Sequence, residues 1–161
     1  MEYSFVQMIE NLFYQKILLY NDLLHCFKEE RASLVQIDVD KLWPIAKEKE
    51  DLCDRIESIR QTIASAVFPD EERRPFHADE VIQRMPHEYR DKFRQLSIRL
   101  TELKREIDMI RKESKVFIEE SLTFLDEMIA VISGKTQSRA TYNHKCGFKR
   151  SHSSFLLNRE V

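Results

Sequence analysis

The fold of this chain is decided by residues 89–131, which read YRDKFRQLSIRLTELKREIDMIRKESKVFIEESLTFLDEMIAV. Residues recur along this stretch every three and then every four positions, and all of them except two serines are apolar: Tyr89, Phe93, Leu96, Leu100, Leu103, Ile107, Ile110, Ser114, Phe117, Ser121, Phe124, Met128 and Val131. This spacing predicts one long helix whose apolar seam packs in a coiled-coil-like groove.

The surface of the predicted helix changes after Lys115. Before Ser114 the positions off the seam are nearly all polar, Ile98 and Met109 excepted. After Lys115 the off-seam positions add further apolar residues, namely Val116, Ile118, Leu122, Leu125, Ile129, Ala130 and Ile132. A helix that is apolar on more than one face needs more than one packing partner.

The composition indicates an all-α protein. The chain has 161 residues, 34% of them charged and 42% hydrophobic, as expected for one soluble domain. Its two glycines are Gly134 and Gly147, so residues 1–133 lack the residue that sheet turns and bulges commonly use. The N-terminus has no basic region of the kind that opens a signal peptide, and no apolar run approaches the roughly 20 residues of a membrane span. We expect a cytoplasmic protein with no membrane insertion.

The apolar period divides the chain into three long helices, predicted at about 3–35, 40–67 and 87–133. Asp38 or Asp40 is expected to cap the second helix, with Pro44 in its first turn. The connecting segment 68–86 is compatible with a short helix at 78–84, capped near Asp79, and Gly134 is expected to close the last helix.

These lengths predict a long antiparallel three-helix bundle or coiled coil over residues 1–134, followed by a flexible C-terminal tail at 135–161. At 1.5 Å per residue the third helix is about 70 Å long and the other two are about 45–50 Å. We therefore expect roughly 20 Å of the third helix, at its C-terminal end, to exceed the length of its partners.

The tail is basic and the rest of the chain is acidic. Residues 135–161 carry a net charge of about +5 by count, against about −7 for residues 1–134. Tyr142, Phe148 and Phe155 alternate with the basic residues, but the acidic body disfavours a nucleic-acid partner. Two interpretations stay open: a solvated tail, or a short segment that contacts a protein through Tyr142 and residues 155–157.

The sequence contains no pattern of an enzyme or a metal site. It has no glycine-rich phosphate loop, no HExxH, no serine elbow and no Glu-x-x-His repeat. His144, Cys146 and His152 lack the further ligand that a structural zinc site needs. The three cysteines are too few for a disulfide framework, and Cys26 and Cys53 are expected to be small packing residues. We predict no catalysis, no cofactor and no metal.

Two uses of the widened apolar surface after Lys115 are open. It can be a docking groove for the amphipathic helix of another protein. Alternatively, it can be the seam of a homodimer or the place where the tail folds back.

Three stretches, EERASLV at 29–35, AKEKEDL at 46–52 and the helix end at 121–134 with the residues after it, resemble the FlgN-like flagellar export chaperones. The first is residues 29–35, EERASLV, followed by Asp38 and by DKL at 40–42. The second is AKEKEDL at 46–52. The third is the helix end from Ser121-Leu122 to residues 132–134, ISG, followed by Thr141-Tyr142-Asn143 and Gly147.

The resemblance implies an all-helical cytoplasmic chaperone without enzymatic activity. Such proteins bind the C-terminal, assembly-prone helical segments of the hook–filament junction proteins, prevent their premature assembly, and deliver them to the type III export gate and ATPase machinery. Tyr142 matches a tail tyrosine that is implicated in contact with the gate. The relatives bind clients through their C-terminal part, which agrees with the apolar surface after Lys115.

Together these observations predict the partner-binding residues Phe117, Leu122, Phe124, Leu125, Met128, Ile129, Ile132 and Tyr142. The alternative is a non-enzymatic structural coiled-coil protein that forms a homodimer through the apolar end of the third helix.

Overall fold

The structure is a computed structural model that describes residues 2–69 and 77–134. It contains α1 (Glu2–Gln36), α2 (Val39–Val67), α3 (Ala78–Arg84), a 3-10 turn (His87–Tyr89) and α4 (Arg90–Ile132). The described residues include no strand, so the all-α prediction is confirmed for them. The predicted flexible tail at 135–161 lies outside the described residues.

The chain divides into two compact units, Met1–Lys115 and Val116–Val161. The first unit holds two apolar clusters, and each combines residues of α1, α2 and α4. One cluster consists of Val6, Ile9, Phe13, Ile63, Val67, Phe68, Val81, Ile82, Met85, Phe93, Leu96 and Leu100. The other consists of Leu19, Leu23, Leu24, Cys26, Ile45, Leu52, Ile56, Leu103 and Ile107. The seam positions Phe93 to Ile107 of α4 therefore lie in the core, as the apolar period predicts.

Contacts between side chains join α1 to α4 within the first unit. The rings of Phe13 and Phe93 meet edge to face, with centroids 5.4 Å apart. The ammonium of Lys92 lies 2.6 Å from a carboxylate oxygen of Glu10. An aromatic pair of this geometry adds about 0.5–1.5 kcal/mol to the free energy gained from burial.

The connection between α1 and α2 forms without glycine. Ile37 has a positive φ of 57°, a conformation that β-branched residues rarely adopt. The Ile37 N–H donates to the carbonyl oxygen of Leu34 at 3.1 Å, and the Asp38 N–H donates to that of Ser33 at 2.9 Å. These two bonds are the Schellman pattern that ends helices, and glycine usually occupies the position that Ile37 fills here.

The predicted start of α2 needs correction. Asp38 is at the N-cap position, but its side chain makes no capping hydrogen bond. Its carboxylate pairs instead with Lys41 Nζ at 2.8 Å, and this bond lowers the pKa of Asp38. Because α2 begins at Val39, Pro44 is the sixth helical residue and lies in the second turn rather than the first.

The segment before α4 also differs in detail from the prediction. The short helix α3 is present at Ala78–Arg84, but its N-cap is His77 and not Asp79. Glu80 Oε1 accepts a hydrogen bond from the His77 N–H at 3.2 Å. The last long helix begins only at Arg90, because His87–Tyr89 form a 3-10 turn after Pro86.

Lys16 of α1 is a half-buried cation within the first unit. Burial lowers the pKa of Lys16 from 10.5 to about 8, and the positive charges of Lys104 and Arg60 contribute in the same direction. Glu57 opposes them, but its carboxylate already accepts two hydrogen bonds from the Arg60 guanidinium, each of 2.8 Å. The charged form of Lys16 is therefore held in an unfavourable environment.

Two polar atoms interrupt the core near the end of the first unit. Ser114 is on the seam of α4 and is 5% exposed. Among the described residues, neither Ser114 Oγ nor Arg31 Nη1 has a hydrogen-bond partner. Arg31 Nε is 3.5 Å from Glu113 Oε2, so this guanidinium keeps one ionic contact. Of the two predicted packing cysteines, Cys26 is buried, whereas Cys53 is exposed and its prediction is wrong.

Candidate partner-binding surface

The described part of the second unit, Val116–Gly134, has an exposed apolar surface. We call this surface the apolar face. It consists of two adjacent stripes at helical spacing: Phe117, Phe124, Met128 and Val131 with Ser121 between them, and Ile118, Leu122, Leu125, Ile129 and Ile132. Phe117 is half-buried, and the other apolar members are between 40% and 80% exposed. Contiguous apolar surface of this kind marks interaction sites in soluble proteins.

The apolar face takes up half of the helix circumference. At about 100° per residue, its members span an arc of roughly 180°. The other half carries Glu119, Glu120, Asp126 and Glu127, and residues 116–134 contain no lysine or arginine. On this projection Glu120 borders one edge of the face and Asp126 borders the other. The second half of α4 is therefore amphipathic, and all the charged residues on its polar side are acidic.

Local sequence keeps this segment helical. It contains no proline, and glycine occurs only at position 134, where the helix has ended. Gly134 has a φ of +67° and donates its N–H to the Val131 carbonyl at 3.2 Å. This left-handed residue is the expected C-terminal cap. The Ser121 hydroxyl donates a hydrogen bond to the Phe117 carbonyl oxygen at 2.7 Å, so it leaves no unpaired hydroxyl on the face.

The first part of α4 behaves differently. Phe93 and Leu103 are 0% and 1% exposed, because α1 and α2 supply apolar neighbours in the two core clusters. Its exposed large apolar residues are Ile98 and Met109, which lie off the seam. Burial within α4 thus stops after Ser114, close to the position where the sequence pattern widens.

The structure places seven of the eight predicted partner-binding residues on the apolar face. These are Phe117, Leu122, Phe124, Leu125, Met128, Ile129 and Ile132, which follow one another over consecutive turns of α4. Tyr142 lies outside the described residues. Ile118 and Val131 belong to the same face, with exposures of 40% and 68%, but were not among the predicted residues. Their periodic spacing was the signal that could have included them.

Sequence reasoning missed a second exposed apolar patch at the connection between α1 and α2. Val35, Ile37, Val39 and Trp43 are between 56% and 81% exposed. The sequence pattern indicates only a break between helices in this stretch, although the chain's single tryptophan lies there.

The remaining features of the described part of the chain are a small cavity and its paired charges. Residues 2–69 and 77–134 contain no group of three or more His, Cys, Asp or Glu side chains that could hold a metal ion. A cavity of about 350 Å³ near the start of α1 is lined by Tyr3, Val6, Gln7, Glu10, Asn11, Tyr89 and Lys92. Its two charged groups, Glu10 and Lys92, are paired with each other. None of the described helices has the length and apolar character that crossing a membrane requires.

Comparison with protein families assigns the chain. The model of the family described as FlgN protein matches residues 1–147. The chain belongs to the FlgN family. FlgN proteins are flagellar export chaperones, so the resemblance identified from the sequence is confirmed. No curated protein and no solved structure matches the chain. The FlgN match includes the whole apolar face and Tyr142, and it leaves residues 148–161 unassigned.

Proposed function

We propose that this FlgN-family protein binds the C-terminal helical segments of hook–filament junction proteins, prevents their premature assembly and delivers them to the type III export gate. The single observation that carries the proposal is the apolar face, which extends from Phe117 to Ile132. Nine large apolar side chains there are 40% to 80% exposed or, for Phe117, half-buried, although the same helix buries its seam up to Ile107.

The chemistry of the apolar face suits a helical client. The two adjacent stripes offer an apolar surface against which residues at positions i, i+3, i+4 and i+7 of an amphipathic helix can pack. Phe124 and Met128 offer a large aromatic surface and an adaptable thioether side by side. Affinity would depend on a few such anchors rather than on the total area buried.

We infer that the first unit is a long antiparallel three-helix bundle. Residues 6–13 of α1 share a core cluster with residues 63–67 of α2 and 93–100 of α4. Residues 19–26 share the other with residues 45–56 and 103–107. This order is expected if α2 runs against α1 and α4. As a member of a chaperone family, the protein is proposed to perform no chemical reaction.

The bundle order can be tested by cross-linking. A short bis-maleimide should join cysteines placed at Glu10 and Lys92, whose side chains pair at 2.6 Å. The control pair, Glu10→Cys with Glu113→Cys, should not be joined, because Glu113 pairs with Arg31 near the other end of α1. Equal cross-linking of both pairs would contradict the proposed order.

The apolar face can be tested with one substitution and a matched control. Leu125→Asp places a charge in the middle of the face, where the native side chain is 52% exposed. Ile98→Asp makes the same kind of change on the same helix at 58% exposure, but outside the face. Binding of a synthetic C-terminal peptide from a hook–filament junction subunit is measured by isothermal titration calorimetry, with circular dichroism to verify folding.

We expect Leu125→Asp to weaken peptide binding at least about 30-fold, the effect of losing an anchor worth about 2 kcal/mol. Ile98→Asp should leave binding within about twofold. Undiminished binding by Leu125→Asp would refute the assignment of the face.

The alternative function, a homodimer closed by the apolar face, predicts a different result. Sedimentation equilibrium would then give a dimer for the unmodified protein and a monomer for Leu125→Asp, with no peptide binding by either.

We also propose that Tyr142 contacts the export machinery. This rests on its match to the family's tail tyrosine and on its position within the FlgN match. Tyr142→Ala should bind the peptide as the unmodified protein does, while export of the client in cells falls. Loss of peptide binding in this variant would place Tyr142 at the client site instead.

A further inference from the structure

We propose that the chain's own C-terminal segment, residues 148–161, covers the apolar face when no client is bound. The inference concerns regulation of the client site and rests on the proposed function for that part. The FlgN match ends at residue 147, so the family assigns no role to this segment. Its sequence, FKRSHSSFLLNREV, combines apolar residues with three basic ones.

Charge complementarity identifies this segment as the occupant. Residues 116–134 carry four carboxylates and no lysine or arginine, a net charge of −4 by count. Residues 148–161 carry three lysines and arginines against one glutamate, a net of about +2, and the whole of 135–161 carries about +5. The apolar face and the segment are thus opposite in charge. Such pairing selects a partner and its orientation more than it adds affinity.

The positions of the charges match the geometry of the face. Glu120 and Asp126 border its two edges, so a chain lying on the apolar stripes has a carboxylate on either side. Lys149 and Arg150 follow Phe148 directly, and Phe155, Leu156 and Leu157 form a compact apolar cluster after a short polar spacer. The apolar cluster can pack on the stripes while the basic pair reaches the acidic edges.

The chain is long enough for this contact. The helix ends at Ile132, and Gly134 turns the backbone with a φ of +67° and no atom within 4 Å of the space beside it. Residues 135–147 can reach up to about 45 Å when extended. The face itself is about 25 Å long. The segment 148–157 can therefore lie along any part of the face.

Tethering makes even a weak contact effective. A short connection gives an effective concentration on the order of 1 mM, so a segment with an affinity of about 0.1 mM would cover the face about ten times as often as it leaves it open. Client affinity falls by the same factor, because only the open fraction binds. A client helix would thus need a higher affinity for the apolar face than the tethered segment has in order to displace it.

The experiment uses the full chain with Cys53→Ser, which removes the exposed cysteine, and a nitroxide on Cys146 next to the segment. Cys26 is buried and stays unlabelled. Amide signals of residues 117–125, at least two turns before Gly134, are compared with and without the active label. We expect strong broadening there, and its reduction by at least half in Lys149→Glu with Arg150→Glu.

Lys28→Glu with Lys47→Glu is the matched control, since both lysines are exposed on the first unit and the change in net charge is identical. The control should keep the original broadening. Equal broadening in the protein with and without the Lys149 and Arg150 changes would overturn the proposal. So would equally strong broadening in a mixture of labelled protein and a separate, unlabelled isotope-enriched sample, because a second copy would then cover the face.

The client peptide of the preceding section separates the two proposals. The Lys149 and Arg150 variant should bind it about tenfold more tightly than the unmodified chain. Unchanged affinity alongside lost broadening would overturn the regulatory role. If the variant lost the broadening and no form bound the peptide, the proposed client binding would be refuted. The proposed contact between residues 148–161 and the apolar face would still be supported.

Discussion

Replacing Lys16 with methionine tests whether the charge of this half-buried ammonium destabilises the folded protein. Lys16 lies half-buried beside Lys104 and Arg60, and the neighbouring carboxylate of Glu57 is engaged by Arg60. Methionine keeps the unbranched shape and removes the ammonium. We therefore expect Lys16→Met to raise the free energy of unfolding at pH 7.

The magnitude follows from the pKa. The ammonium of Lys16 titrates at about 8 in the folded protein instead of 10.5. One pKa unit corresponds to about 1.4 kcal/mol, so the charge costs the folded state at most about 3–4 kcal/mol. Water reaches part of the side chain and screens the charge, which reduces the expected gain to about 1–2 kcal/mol.

The pH dependence has a definite sign. Between pH 8 and pH 10.5 the unfolded chain binds more protons at Lys16 than the folded protein does, so this residue makes stability rise with pH. The stability gained by Lys16→Met is therefore largest below pH 8. It should shrink as pH rises through 8 and reach its minimum near 10.5.

Urea unfolding followed by far-UV circular dichroism at pH 7, 8, 9 and 10 measures this difference. Fluorescence is unsuitable, because the single tryptophan, Trp43, is already 80% exposed in the folded protein. Lys28→Met is the control, since Lys28 is exposed on the same helix and its loss should change stability by less than about 0.5 kcal/mol. A Lys16→Met protein that is less stable than the unmodified chain, or a difference independent of pH, would refute the reasoning.

Three further substitutions test the packing by the same unfolding measurement. Ser114→Ala removes a buried hydroxyl without a partner and should stabilise by about 1 kcal/mol; a loss of stability would mean that the hydroxyl is satisfied. Ile37→Gly relieves a left-handed β-branched residue and should stabilise by about 0.5–1 kcal/mol after the entropy of glycine is subtracted, whereas a neutral or negative result would contradict the strained geometry. Phe93→Ala should cost about 3–5 kcal/mol, because Phe93 is fully buried against Phe13, and a cost below 1 kcal/mol would exclude it from the core.

The helical class and the change along α4 could be predicted because both depend on periodic apolar spacing. Phe93, Leu100 and Ile107 recur on one face and are buried, while Leu125 and Ile132 lie on a second stripe and are exposed. A repeated pattern of this kind carries information over many residues. Most helix bounds predicted from it therefore differ from the observed bounds by no more than one residue.

The remaining features depend on contacts that leave no periodic trace. Ile37 occupies a position where glycine is the usual residue, so its left-handed backbone is set by the helices on either side of it. Lys16 has the pattern of a solvated lysine, and only the neighbouring helices bury it. The His77 cap and the 3-10 turn at His87–Tyr89 are local backbone features, and neighbouring residues offer similar caps and helix starts. The exposure of Trp43 could not be predicted, because this residue does not interrupt the apolar period of α2.

Pro44 has a consequence for how the molecule opens. As the sixth residue of α2 it has no N–H to donate to the carbonyl of Asp40, and the residues before it are mostly exposed, with Ile45 the first buried residue of the helix. The first turn of α2 is thus held by little besides its own backbone. Local unfolding should begin at this junction, and the amides of Val39–Trp43 should exchange with deuterium long before those around Leu52. The first turn of α2 can therefore unfold locally while the two apolar clusters of the first unit stay packed.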